Sequence, residues 1–128
     1  MIKIVKNEKI LNLTQHIANK NQIQDGLIEP ETNDKKRILE LLIFNKEDIN
    51  TNTFIEKSIE LLKIIKKYNI KYTLIGGLIP FVIYLYKFLS ENNIIPVFSF
   101  SERKVIETIV DNKTIKSLIF EHKFFYKI

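Results

Sequence analysis

The chain has 128 residues, no cysteine and a formal net charge of +5, with 45% hydrophobic and 27% charged residues. This length supports one core and a single domain over 1–128, and the missing thiols exclude disulfides, thiolate metal ligands and a cysteine nucleophile while fitting a reducing, cytoplasmic setting. The N-terminus lacks the apolar stretch of a signal peptide, and the longest uncharged run, 72–86, falls short of the roughly 20 residues that span a bilayer, so no membrane segment is expected.

Ile2 to Val5 and Ile10 to Thr14 are short apolar runs around a polar turn, which predicts an N-terminal hairpin whose second run is the core strand. Asn19 or Asn21 can cap a short helix through Ile23 that Gly26 ends, and Pro30 separates it from the next helix. Asn33 can cap that helix over 34–44, with Ile38, Leu41, Leu42 and Phe44 as its inward stripe. Thr53 and Glu56 match a capping box for a longer helix ending near Tyr68-Asn69, with Ile55, Ile59, Leu62 and Ile65 as its apolar face. Lys71 to Ile75 reads as a buried strand and Gly76-Gly77 as the turn into a helix over 79–91, which Asn92-Asn93 stops. Pro80 suits the first turn of that helix. With a strand over 95–100, this stretch forms one βαβ unit. Val105 to Val110 and Thr114 to Phe120 then predict an antiparallel hairpin about 111–113, and Phe124-Phe125-Tyr126 a last edge segment. The expected fold is a single α/β Rossmann-like domain with a parallel core sheet, flanking helices and a C-terminal antiparallel hairpin.

Three polar clusters each follow a strand-like run: Thr14-Gln15-His16, Gly76-Gly77, and Ser99, Ser101 and Arg103. In an open parallel sheet the segments beyond the strands' carboxyl ends meet in one crevice. These clusters therefore predict one site. Its hydroxyl, amide and guanidinium groups suit a phosphate-bearing ligand. Gly76-Gly77 can offer backbone N–H groups and a helix N-terminus to phosphate, or serve only as a tight turn. His16 can act as a general acid or be satisfied by backbone. Ser99, Ser101 and Arg103 alternate along one face, opposite Phe98 and Phe100, either as a row of donors or as the exposed start of the hairpin. His122 can join them only if the last strand returns beside the site; otherwise it lies on an exposed edge. No Ser-His-Asp arrangement can be read from residue order alone, no spacing suggests a metal site, and no cofactor is expected. The lysines are scattered rather than gathered into a tract, which argues against duplex nucleic acid as a partner.

Together, Asn12-Leu13-Thr14-Gln15-His16, Gln22, Asp25-Gly26, Ile75-Gly76-Gly77 with Pro80, and Phe98-Ser99-Phe100-Ser101-x-Arg103 resemble a family of small prokaryotic and phage proteins with NLTQH, IGG-x-x-P and FS-x-R segments. The early layout is also similar to small CRISPR-associated Rossmann-like (CARF-like) proteins that bind or degrade cyclic oligoadenylate. That similarity implies a homodimer with the ligand across its two-fold axis. The chain departs from the pattern at Asn19, where Thr is common, and at Leu78-Ile79, where a small residue usually follows the glycines.

The functional expectation is a phosphate-bearing nucleotide signal, most simply a cyclic oligonucleotide. His16 and Arg103 would serve metal-independent phosphodiester cleavage, with Thr14, Gln15, Gly76, Gly77, Ser99 and Ser101 binding the ligand. The alternatives are a non-catalytic sensor or sponge using the same pocket, and a protein-interaction module that docks through Phe124-Phe125-Tyr126.

Overall fold

Ile10, Leu11 and Leu13 are all fully buried, because successive strand residues point to opposite faces and both faces of the sheet are covered at this strand. The computed structural model describes residues 1–128. In chain order the elements are β1 (Lys3–Val5), β2 (Ile10–Asn12), α1 (Lys20–Gln24), β3 (Leu27–Ile28), α2 (Thr32–Leu41), a 3-10 turn (Lys46–Asp48), α3 (Thr51–Lys66), β4 (Tyr72–Leu74), α4 (Ile79–Glu91), β5 (Ile95–Val110) and β6 (Lys113–Lys127).

The six strands form one mixed α/β sheet in the order β1-β6-β5-β4-β2-β3. β3, β2, β4 and β5 are parallel neighbours, while β6 runs antiparallel to both β5 and β1. The sheet is thus not a parallel core with a separate hairpin: β5 belongs to both halves. The expected N-terminal hairpin does not form either, because β1 pairs with β6 through Lys3↔Lys127 to Val5↔Phe125. This places β6 between two strands, so Phe124-Phe125-Tyr126 is interior to the sheet and not an edge. Phe125 is fully buried, while Phe124 and Tyr126 stay partly exposed.

One face of the sheet carries the larger core, in which Leu11, Leu13 and Ile75 meet Ile38 and Leu41 of α2, Leu61 and Ile65 of α3, and Phe81, Leu85 and Leu89 of α4. Each such side chain contributes about 1.5–3 kcal/mol on burial. The opposite face carries a smaller cluster of Val5, Ile10, Ala18, Leu27, Leu74, Val97 and Phe125.

Helix ends explain several boundaries. Asn19 caps α1 in a capping box with Gln22. α2 begins at Thr32, ahead of the expected Asn33 cap, and has no side-chain cap. α3 is capped by Asn50, whose Oδ1 accepts the Thr53 N–H at 2.8 Å, so Thr53 lies inside the helix instead of starting it. Its buried face runs through Ser58, Leu61, Leu62 and Ile65, and Ile59 turns outward. α4 ends in a Schellman motif: Asn93 takes φ 64°, and the Ile94 N–H reaches Leu89 O at 3.0 Å.

β5 and β6 continue past the body as a two-stranded arm. The Asp111-Asn112 turn has both residues at positive φ (51° and 62°), as a type I′ hairpin requires. No helix is long and apolar enough to cross a membrane.

Candidate functional site

The carboxyl ends of β2 and β4 lie beside the first residues of β5, as the registers Asn12↔Leu74 and Leu74↔Val97 show, and β5 itself runs on past them. The segments beyond them line one cavity of about 680 Å³. Thr14, Gln15 and His16 come from the loop after β2, Gly76 and Gly77 from the turn after β4, and Ser99 and Ser101 from β5. Of the three polar clusters, all but Arg103 therefore converge on this cavity. Asn19 and Gln22 of the α1 cap and the aromatic residues Phe98, Phe120 and Tyr126 complete much of the wall. The wall contains no carboxylate and no Lys or Arg. Its polarity comes from hydroxyls, amides, an imidazole and backbone groups.

Arg103 is not part of this wall. It is exposed on the arm, and its guanidinium lies 6.0 Å from the centre of the Phe120 ring, whose side chain does line the cavity. Two residues per pleat explain the offset: Ser99, Ser101 and Arg103 share a face, and each step carries the chain further from the body.

The loop that carries His16 is held from beneath. Buried Asn12 accepts the Thr14 N–H at 3.0 Å and the Thr14 hydroxyl at 2.7 Å on Oδ1, while its Nδ2 donates to His16 O at 2.8 Å and to Glu29. Lys35 donates to the carbonyls of Thr14 (2.9 Å) and His16 (3.0 Å) and pairs with Glu29 at 3.2 Å. Glu29 also accepts the Ala18 N–H at 3.0 Å. The hydroxyl proton of Thr14 is thus committed inside the loop, and its part is to shape the wall. Gln15 donates to Leu42 O at 3.3 Å, which ties the loop to α2. His16 is left exposed at the cavity, held by its backbone alone.

On the second side, Gly77 has φ +122°, a conformation that a side chain would strain. The turn leads into α4, where Pro80 occupies the first turn and no side chain caps the end. Pro80 removes one N–H donor, so the free donors of this end come from its neighbours.

His122 is the residue whose place the sequence left open between the site and an exposed edge. It is buried, not on an exposed edge, because β6 returns between β5 and β1. An irregularity between Phe100/Ser101 and their partners leaves Lys123 unmatched and sets His122 opposite Ser101. The His122 Nδ1 lies 2.6 Å from Ser99 Oγ, and its Nε2 lies 2.9 Å from Asp25 Oδ2. The signal was the pairing of the last strand with β5, which the order of residues alone does not reveal. No group of three or more His, Asp or Glu side chains is arranged to hold a metal ion.

Fold and site together define a mixed-sheet α/β protein with a neutral polar and aromatic cavity at the carboxyl ends of its parallel strands. The model of the Uncharacterized protein MJ1673 family matches residues 8–126, and the chain belongs to that family. No curated protein and no solved structure matches the chain.

Proposed function

We propose that the cavity binds a phosphate-bearing nucleotide signal, most simply a cyclic oligonucleotide, on a Rossmann-like framework. The observation that carries this reading is the convergence of three sequence-distant polar clusters on one cavity at the strand ends. Phe98, Phe120 and Tyr126 offer faces for bases, and the amides and hydroxyls offer partners for ribose and base edges. The absence of a carboxylate in the wall spares an anion direct repulsion. Arg103, displaced onto the arm, suits the outer rim of a ligand larger than a mononucleotide.

Metal-independent phosphodiester cleavage extends the same reading. A ribose 2′-OH attacks the adjacent phosphate in line, His16 moves the proton, and the cavity orients the reacting groups. The non-catalytic alternative, a sensor or sponge, uses the same contacts without turnover.

A homodimer is part of the proposal, and the arm supports it. Val105, Ile106, Ile109, Val110, Ile115, Leu118, Ile119 and Phe120 are all at least 40% exposed on a ribbon of two strands. Such a ribbon is marginal in water by itself, and a second copy would cover it. An intracellular nucleotide signal also fits a chain without cysteine.

The test is to incubate the protein with a panel of cyclic and linear oligonucleotides, measure binding by calorimetry and follow the ligand by chromatography. Binding with conversion supports cleavage. Tight binding with unchanged ligand supports the sensor. If no member of the panel binds, the nucleotide reading is overturned.

A further inference from the structure

The buried contact between Ser99 and His122 has a definite chemical sense. Asp25 is a carboxylate that can only accept, so a neutral His122 places its proton on Nε2, 2.9 Å from Asp25 Oδ2. Nδ1 is then a lone pair, 2.6 Å from Ser99 Oγ, and it accepts the serine hydroxyl proton. The imidazole has no solvent exposure and packs on Phe125 with ring centres 4.4 Å apart, so its orientation is fixed. Asp25 is nearly half exposed and needs no burial of an isolated charge. Ser99 itself is a residue of the cavity wall, so the hydroxyl that His122 engages belongs to the site that a ligand would fill.

From this geometry we infer that Ser99 is a nucleophile toward phosphorus esters, with His122 as its base and Asp25 as the group that positions His122. A nucleophile, a base within hydrogen-bond reach and a third group orienting the base are the recurring parts of an activated serine, recognised by geometry and not by order or by which ring nitrogen faces which partner. In the step, Ser99 Oγ forms a bond to phosphorus as the bond from phosphorus to the leaving oxygen breaks. The serine proton passes to His122 Nδ1 and then to the departing oxygen, releasing an alcohol. Water entering the cavity attacks phosphorus, the Ser99–phosphorus ester bond breaks, and Ser99 Oγ recovers a proton from that water, which restores the hydroxyl. Gly76 and Gly77, in the wall of the same cavity, can offer N–H groups to the charge that builds on the phosphoryl oxygens.

This chemistry does not depend on which nucleotide binds, and its test uses none. The full chain is treated with a fluorophosphonate probe: Ser99 Oγ replaces fluoride on phosphorus, and hydrogen fluoride is released. The expected result is a covalent adduct that peptide mass spectrometry maps to Ser99 and that Ser99→Ala abolishes. Asp25→Asn should slow labelling by at least about a hundredfold, since loss of the orienting carboxylate in such triads costs more than that, and Asp25→Glu should recover part of the rate. Both Asp25 variants are expected to melt near the parent temperature, so loss of labelling cannot be ascribed to unfolding. Absence of an adduct, an adduct only at another residue, or a Ser99 adduct formed at parental rate in Asp25→Asn would overturn the inference. Failure of nucleotide binding would not touch it.

Discussion

Arg103 stands 6.0 Å over the ring of Phe120, and Phe120 is the point where the arm meets the cavity. In the proposed nucleotide complex the aromatic wall and the cation would therefore make separable contributions. Phe120→Ala removes a stacking face and should weaken binding of an oligonucleotide on the order of tenfold to a hundredfold. Arg103→Ala should lower affinity less and flatten its dependence on salt, because an exposed cation acts through screened charge. Calorimetric titration at two ionic strengths measures both.

Gly26→Ala should destabilise the fold by at least about 2 kcal/mol. Gly26 has φ +103°, and a Cβ there would lie 2.1 Å from Glu8 O, a backbone atom that cannot step aside. The same residue accepts the Ile10 N–H at 2.9 Å, which fixes the start of β2. A urea unfolding curve with a lowered midpoint and unchanged slope is the expected outcome.

Asn12→Ala should cost about 1–3 kcal/mol, because it leaves the buried Thr14 N–H and hydroxyl without their Oδ1 acceptor, while His16 O and Glu29 keep their bonds to Lys35. The loss should also loosen the loop that carries His16. Chemical denaturation reads the first effect. Amide hydrogen exchange at Thr14 and His16 reads the second.

Local signals and long-range pairings were not equally legible in the sequence. α4 begins at Ile79 and ends at Glu91, where Pro80 and Asn92-Asn93 announce it, because start and stop signals are local chemistry. The convergence of the loops after β2 and β4 on Ser99 and Ser101 was legible for a similar reason, since each cluster comes after an apolar run and parallel strands share a direction. The continuation of β5 to Val110, which carries Arg103 away, was not. Strand partners are a different matter. β1 could pair with β2 or β6 on local grounds, and the choice of β6 is made by burial of Val5 beside Phe125, more than a hundred residues away. His122 is buried by the return of β6 beside β5, so which of its two readings holds is decided only once that pairing is in place.

Tyr68 links stability to pH at the alkaline end. Its hydroxyl donates to Asp34, accepts the Glu31 N–H at 2.9 Å, and is pushed up to about 12, chiefly by burial and then by its bond to Asp34. The unfolded phenol ionises near 10. Between those values the unfolded chain binds fewer protons than the folded one, so stability should fall as pH rises through this window. Tyr68→Phe should remove that dependence. Asp34 works at the other end: hydrogen bonds from Lys67 and Tyr68 hold its carboxyl below the usual range, so its contribution is present above the unfolded value and fades as pH falls through the folded one. Asp34→Asn should flatten the acid limb of a thermal-melt series.

The arm gives the dimer proposal a specific test. Val105 and Leu118 are directly paired, and they share a face with Phe120, so one side of the ribbon runs continuously from exposed aliphatic surface into the cavity wall. A second copy seated on that side would bury the apolar stripe and close the cavity mouth together. The paired change Val105→Lys with Leu118→Lys puts two like charges opposite each other on the stripe, which disfavours association there and leaves the helices and the main core untouched. Sedimentation velocity should show the parent protein as a dimer and the double variant as a monomer, with the unfolding of the body unchanged. A parent that remains monomeric at high concentration would remove the second copy from the proposal and leave the arm without its cover.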